Sequence, residues 1–327
     1  MRLSNMLAQG PQWASMIALG FCLFAQPVSA ENYPSRAITI VVPQAVGSAS
    51  DNVTRPIAES LRKQLGQAVI VENRAGAAGL IGTSYGARAK PDGYTFTIVS
   101  NTTMAANPSM YKELPYDPVK DFVPVALLGK TSMMYVVRPD FPAQTLDQLV
   151  AESKQRNVPL TAGYGSSTAQ IALHMLTQAS DMTVTPVPYN GTPQLMVDLL
   201  GGTVDFAVVD VGSGMVQARQ NKVTPLAIAA SKKLTVSDDV PTMAEKYPGI
   251  FMDTWIAIAA PAGTSNEHIE AINKAVLEAS KQPEVIKAFQ SVAIELATAT
   301  PEELAETIKA DQEKWPDLVK AAGIQPQ

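Results

Sequence analysis

Between residues 37 and 99, short apolar runs alternate with segments that have a helical pattern. Residues 37–43 are β-branched and nearly all apolar, which is typical of a buried strand. Residues 51–65 carry apolar side chains four positions apart, which predicts a helix. Pro56 lies inside this range, so the helix would either be kinked there or begin later. The same reading predicts strands at 68–72 and 94–99 and a helix at 77–89. This order predicts a parallel sheet with helices on both of its faces.

The middle of the chain repeats the alternation, and its C-terminal part is helical. Predicted strands cover residues 134–137, 160–163, 184–187, 204–209 and 226–229, and predicted helices cover 145–155, 169–178 and 190–200. Three further helices are predicted at 265–280, 283–291 and 301–309, the last of which begins with proline followed by two acids. The pattern therefore predicts an α/β protein with two α/β units.

The first thirty residues have the pattern of a secretory signal peptide. Arg2 is their one charged residue, residues 14–25 form an apolar run too short to span a bilayer, and Val28 and Ala30 suit a cleavage site. A buried N-terminal helix or a retained membrane anchor is the alternative interpretation. Phe21 precedes Cys22, where a lipoprotein needs a small residue. We therefore expect cleavage after Ala30 and an exported mature chain without cysteine.

Composition and charge narrow the classes of function. The 327 residues are 46% hydrophobic and 17% charged, with a formal net charge of −5 and no dense basic run, which argues against binding to nucleic acid or to a membrane surface. Two histidines and one cysteine are too few for a zinc or iron–sulfur site. The one Gly-x-Ser-x-Gly match, at residues 82–86, lies inside the helix predicted at 77–89 and not at the strand-to-helix turn that a nucleophile elbow requires. We expect no enzyme activity, no metal and no cofactor.

Three polar loops follow predicted strands, at residues 43–51, 164–168 and 189–192. Ligands of open α/β sheets bind at the carboxyl ends of the strands, where loop amides and helix N-termini can hold an anion. Each loop also has a structural interpretation. In that interpretation Ser50, Thr168 and Thr192 are helix caps, and the glycines serve only the turns. Asp51 suits the first turn of a helix, whereas Asp210 could face a cleft.

Eight ordered motifs resemble one known family. They are residues 33–38 (YPSRAI), 71–79 (VENRAGAAG), 90–95 (KPDGYT), 114–122 (LPYDPVKDF), 187–191 (VPYNG), 198–202 (DLLGG), 240–242 (VPT) and 259–264 (AAPAGT). Through them the chain resembles the Bug/TctC family, the extracytoplasmic solute receptors of tripartite tricarboxylate transporters, from about residue 33 to 324. Gln44 stands where the family usually has an aromatic residue, Ser48 where it has a second glycine, and Gln170 about where it often has a histidine.

The resemblance implies a periplasmic-binding-protein fold of type 2, with two α/β domains joined by crossover strands near residues 125–134 and 252–259. Domain 1 would comprise residues 31–130 plus 253–327, and domain 2 residues 131–252, after a signal peptide at 1–30. A small carboxylate (a di- or tricarboxylate, an acidic amino acid or an aromatic acid) would bind between the domains. The protein would be a periplasmic monomer that delivers its ligand to the membrane subunits of the transporter.

Sequence and resemblance together predict one set of ligand-binding residues. The set is Gln44, Val46, Gly47, Ser48, Ala49, Ser50, Asp51, Asn101, Tyr164, Gly165, Ser166, Ser167, Thr168, Asn190, Gly191, Thr192 and Asp210. Among them, Ser48 and Ser167 are expected to donate hydrogen bonds to the carboxylate. A sensory receptor that passes the ligand to a signalling ectodomain is the alternative function, and an exported hydrolase is disfavoured.

Overall fold

The computed structural model describes residues 33–237 and 239–326. The predicted signal peptide, at residues 1–30, lies outside the described residues. Within the described part of the chain, no helix has both the length and the apolar character needed to cross a membrane.

The described residues form ten strands and eleven α-helices. The strands are β1 (Ile38–Val42), β2 (Val69–Asn73), β3 (Thr95–Ser100), β4 (Phe122–Val137), β5 (Leu160–Tyr164), β6 (Val184–Pro188), β7 (Phe206–Asp210), β8 (Thr224–Ile228), β9 (Asp253–Pro261) and β10 (Glu295–Leu296). The helices are α1 (Ala49–Leu65), α2 (Leu80–Ala87), α3 (Asn107–Met110), α4 (Leu146–Gln155), α5 (Ser167–Ser180), α6 (Thr192–Leu200), α7 (Val211–Ala218), α8 (Met243–Lys246), α9 (Asn266–Ala279), α10 (Pro283–Ser291) and α11 (Pro301–Ala321).

The strands form two sheets that share β4. Along the sheets the order is β2-β1-β3-β9-β4-β7-β5-β6, and β8 and β10 also pair with β4. Strands β1, β2 and β3 are parallel, as are β5, β6 and β7, whereas β9 runs antiparallel to β3 and to β4. We call the part built on β1–β3 lobe 1 and the part built on β5–β8 lobe 2.

Strand β4 passes from one lobe to the other. Its residues from Phe122 to Ser132 pair with β9 in lobe 1, and those from Met133 to Val137 pair with β7 and β8 in lobe 2. The division into domain 1 (31–130 plus 253–327) and domain 2 (131–252) stays a prediction, and this change of partners within β4 supports it.

Helix α11 contacts both lobes. Near its start, Leu304 and Ile308 belong to the apolar cluster that contains Phe122 of lobe 1. Two turns later, Trp315 is buried in the cluster that contains Phe206 of lobe 2. The helix runs through Pro316 and therefore extends well beyond the predicted span of 301–309.

Two other predicted helices differ at their starts. Helix α1 begins at Ala49 and continues through Pro56, two residues earlier than predicted. The helix predicted at 77–89 begins with a single 3₁₀ turn in which Ala77 and Ala78 have φ values of 47° and 51°. Helix α2 then follows at Leu80, because residues in the left-handed region cannot continue a right-handed helix.

Candidate functional site

A cavity lies between the lobes, where the strands of both sheets end. Its empty volume is about 790 Å³ counted out to its mouth. That is within the range of small-molecule sites. Its wall is formed by the loop after β1, the residues after β3, the loops after β5 and β6, the end of β7, and strands β4 and β9. This is the edge at which ligands of open α/β sheets bind.

Most of the predicted ligand-binding residues line this cavity. They are Gln44, Ser48, Ala49, Ser50, Asn101, Gly165, Ser166, Thr168, Asn190, Gly191, Thr192 and Asp210. Contact of these residues with a ligand stays a prediction.

Five predicted residues lie elsewhere. Val46 is 63% exposed and, with Gly47, lines a neighbouring surface groove. Tyr164 packs against the core of lobe 2. The Asp51 and Ser167 side chains point into the protein, where each has partners of its own. These two positions follow from helix geometry, because successive helical residues face different directions.

The buried Asp51 side chain stabilises the loop after β1 from the side that faces the protein interior. The carboxylate is 1% exposed and accepts hydrogen bonds from the Gly47 backbone N–H at 2.9 Å, from the Asn73 side-chain amide at 3.0 Å and from Arg55 Nε at 3.0 Å. Burial alone would raise the pKa of Asp51, but the hydrogen bonds from Arg55, Gly47 and Asn73 outweigh it and hold this pKa below its usual range. Asp51 therefore has the structural role, fixing the loop that carries Ser48.

Ser167 and Thr168 connect the lobes. Ser167 Oγ donates a hydrogen bond to Asn107 Oδ1 at 2.7 Å, and the hydroxyls of Thr168 and Thr102 lie 2.7 Å apart. Asn107 and Thr102 belong to the segment after β3, which includes a π-helical turn (Thr102–Ala106). The expectation that Ser167 donates to a carboxylate therefore does not fit this structure, because its hydroxyl is buried and already bonded.

Five helices begin at the cavity: α1, α2, α5, α6 and α7. Their N-caps are Ser48, Gly79, Ser166, Gly191 and Asp210. The alternative in which Ser50, Thr168 and Thr192 are the caps is therefore wrong by one or two residues in each loop. Helix N-termini carry partial positive charge, so those of α1, α5 and α6 favour an anion in the cavity, and α6 has no side-chain cap of its own. The start of α7 differs, because the Asp210 carboxylate already caps it.

Side-chain charge at the cavity is sparse. Among the described residues of its wall, Asp210 is the one charged side chain, and no arginine, lysine or histidine is present. Asp210 accepts a hydrogen bond from the Ser213 backbone N–H at 2.7 Å and a longer one from the Thr192 hydroxyl at 3.4 Å. Burial raises the pKa of Asp210 despite these bonds. An anion in this cavity would depend on backbone amides and hydroxyls.

The floor of the cavity comes from residues that the sequence analysis did not single out. Thr131 of β4 and Thr254 and Trp255 of β9 line it. The Trp255 backbone N–H donates to Asn101 Oδ1 at 2.6 Å, and its indole Nε1 donates to Asp311 Oδ2 at 2.7 Å. Asn101 also donates from its side-chain amide to Asp311. Helix α11 thereby supports the cavity wall through Asp311, a link that no local pattern indicated.

The described residues contain no cluster of metal-binding side chains. Across 33–237 and 239–326, no group of three or more histidine, cysteine, aspartate or glutamate side chains could hold a metal ion.

Two α/β lobes, joined by long crossing strands around a polar cavity, define a two-lobed solute-binding protein. The family model described as tripartite tricarboxylate transporter family receptor, TctC, matches residues 53–324. The chain belongs to this family, whose members are periplasmic binding proteins. The resemblance found from the sequence motifs is confirmed.

Similar proteins agree with this assignment. BugT of Bordetella pertussis is 33% identical over 305 residues, which cover 91% of this chain and 93% of BugT. An R. palustris protein solved with adipate is 28% identical and superposes with a TM-score of 0.87 over 90% of this chain and all of its own. MatC of Rhodopseudomonas palustris, solved with bound malate, is 30% identical, with a TM-score of 0.81 over 88% of this chain and 100% of its own. The predicted periplasmic-binding-protein fold is confirmed.

Proposed function

We propose that this protein is a periplasmic receptor that binds a small carboxylate between its lobes. It passes this ligand to the membrane subunits of a tripartite tricarboxylate-type transporter. The observation that carries the proposal is the convergence of the N-termini of α1, α5 and α6 on one cavity whose described wall has no basic side chain. Such a wall can stabilise a single carboxylate group through N–H and O–H donors.

The chemistry of the wall selects the carboxylate over other groups. The first amides of α1 and α6 have no partner within their own helices, and Gly191 has no side chain to cap α6. Ser48 and Ser50, at the start of α1, line the same cavity and each carry a hydroxyl. An amine would find one carboxylate, Asp210, which is already hydrogen bonded. The two relatives solved with adipate and malate carry ligands of the proposed class.

Export and the partner complete the proposal. The leader at residues 1–30 would be removed after Ala30, and the monomeric mature chain would meet the transporter at the membrane surface. The family description supports the transporter partner, since it names a receptor of such transporters. The family's receptor role also supports a protein that binds its ligand without transforming it, and no metal or cofactor belongs to the proposal.

A thermal-shift panel tests the proposal. Mono-, di- and tricarboxylates should be compared with their methyl esters, which keep the carbon skeleton and remove the charge. A ligand that binds only the folded state raises Tm by mass action, by about 2.7 kcal/mol of stability at a hundredfold excess over Kd. At least one acid should raise Tm while its ester leaves it unchanged. A panel in which esters or amines stabilise as well as acids would refute the carboxylate site.

A further inference from the structure

Two threonines, one on β4 and one on β9, lie opposite each other on the cavity floor. Thr131 of β4 and Thr254 of β9 are directly opposite in the antiparallel ladder. Side chains opposite each other in such a pair emerge on the same face of the sheet, with Cβ atoms about 5 Å apart. Both residues line the cavity between the lobes, and they are 6% and 7% exposed.

Neither hydroxyl has a hydrogen-bond partner among the described residues. Thr131 Oγ1 and Thr254 Oγ1 are both buried and unpaired, and so is Gln44 Oε1 in the same wall. Buried polar atoms in folded proteins nearly always have a partner. Unpaired hydroxyls also occur away from the cavity, as at Thr97 in the core of lobe 1. The unusual feature is that three unpaired atoms share one cavity, two of them on opposed residues of β4 and β9.

The charge near this floor decides which ligand group suits it. Asp210 is in the same wall, and Asp311 lies directly behind Trp255 and Asn101. The negative charges of these acids would repel a second carboxylate, and the described wall has no basic side chain to neutralise them. A hydroxyl can accept from one threonine and donate to the other, and it adds no charge.

We propose that the Thr131–Thr254 pair binds a hydroxyl group of the ligand, so that the protein selects hydroxy-carboxylates. This inference rests on the proposed function, because the carboxylate at the other end of the ligand would occupy the helix N-termini. The ligand would then contact the helix N-termini at one end and strands β4 and β9 at the other.

Calorimetric titration of the whole protein with a matched series tests this inference. The probes are 4-hydroxybutanoate, 5-hydroxypentanoate and 6-hydroxyhexanoate, each beside the alkanoate and the dicarboxylate of equal length. At one length, the hydroxy acid should bind about tenfold more tightly than both companions, as one buried hydrogen bond allows. Thr131→Val and Thr254→Val should each remove the advantage of the hydroxy acid over the alkanoate of equal length, because valine keeps the shape and loses the hydroxyl.

Thr97→Val is the matched control, since it deletes an equally buried and unpaired hydroxyl away from the cavity. It should retain the full preference for the hydroxy acid. A hydroxy-acid preference that survives in both cavity variants overturns the inference. So does a wild-type protein that binds alkanoates or dicarboxylates equally well or better, although the proposed carboxylate site then stands. Failure of every acid in the series to bind would count against both.

Discussion

Replacing Asp51 by asparagine should lower the free energy of unfolding by about 2–3 kcal/mol at neutral pH. The carboxylate is 1% exposed and accepts hydrogen bonds from Gly47, Asn73 and Arg55. A hydrogen bond to a charged group contributes about 1.5–3 kcal/mol, and Arg55, half exposed, contributes less than a buried partner would. The asparagine amide can replace at most part of this set, because its NH₂ group would face other donors.

The loss should depend on pH in a definite direction. The pKa of Asp51 is depressed in the folded protein, so its stabilisation is fully present above the unfolded value near 3.8. It is lost as the pH falls through the lower, folded value, since the carboxylate must then be protonated. Urea unfolding followed by circular dichroism should therefore show a constant gap between wild type and Asp51→Asn from pH 7 to pH 5. The gap should narrow below about pH 3.8.

A matched control separates burial from ion pairing as such. Asp140 pairs with Arg138 at 3.0 Å, but its side chain is 82% exposed, so Asp140→Asn should cost well under 1 kcal/mol at every pH. The reasoning is refuted if Asp51→Asn is as stable as wild type at pH 7. A gap that persists unchanged in acid would also refute it, because the cause would then be something other than the carboxylate charge.

Three further outcomes are expected. Gly165→Ala should weaken carboxylate binding at least about tenfold in calorimetry. The added Cβ would lie 2.8 Å from the Gly191 carbonyl carbon and would displace two loops that line the cavity. Unchanged affinity would contradict this. Thr102→Val removes the hydroxyl contact with Thr168 between the lobes, so small-angle scattering should show a larger ligand-free radius of gyration than wild type, and equal radii would count against it. Mass spectrometry of the exported protein should find Glu31 as the N-terminal residue, and an intact leader would disprove cleavage.

The positions of most strands and of the three polar loops could be predicted from the sequence. Buried parallel strands leave long β-branched runs, and the loops at their carboxyl ends carry the glycines and hydroxyls of the site. The cavity floor could not be predicted in this way. Thr131 and its neighbours Lys130 and Ser132 interrupt the apolar run of β4, so the hydrophobic pattern indicated only residues 134–137 as a strand, and the crossover near residues 125–134 was expected from the family resemblance alone.

Other errors came from single positions rather than from the pattern. The sequence does not distinguish the hydroxyls of Ser166, Ser167 and Thr168. In the structure the first caps α5, and the other two form hydrogen bonds to residues of lobe 1. A one-residue difference in the start of a helix rotates a side chain by about 100°, which local composition does not report. Asp311 supports the cavity from 210 residues away from Asn101, and such long-range contacts leave no local signal.

Helix α11 has a consequence for how the chain is made. Apolar clusters of both lobes contain its residues, with Leu304 in one and Trp315 in the other. Synthesis and vectorial export deliver the chain from its N-terminus, so every strand of both sheets emerges before this helix does. Until residue 315 arrives, apolar surface stays open in each lobe, and the chain remains short of its final packing. A chain truncated before α11 would therefore expose hydrophobic surface in both lobes, and proteases could degrade it.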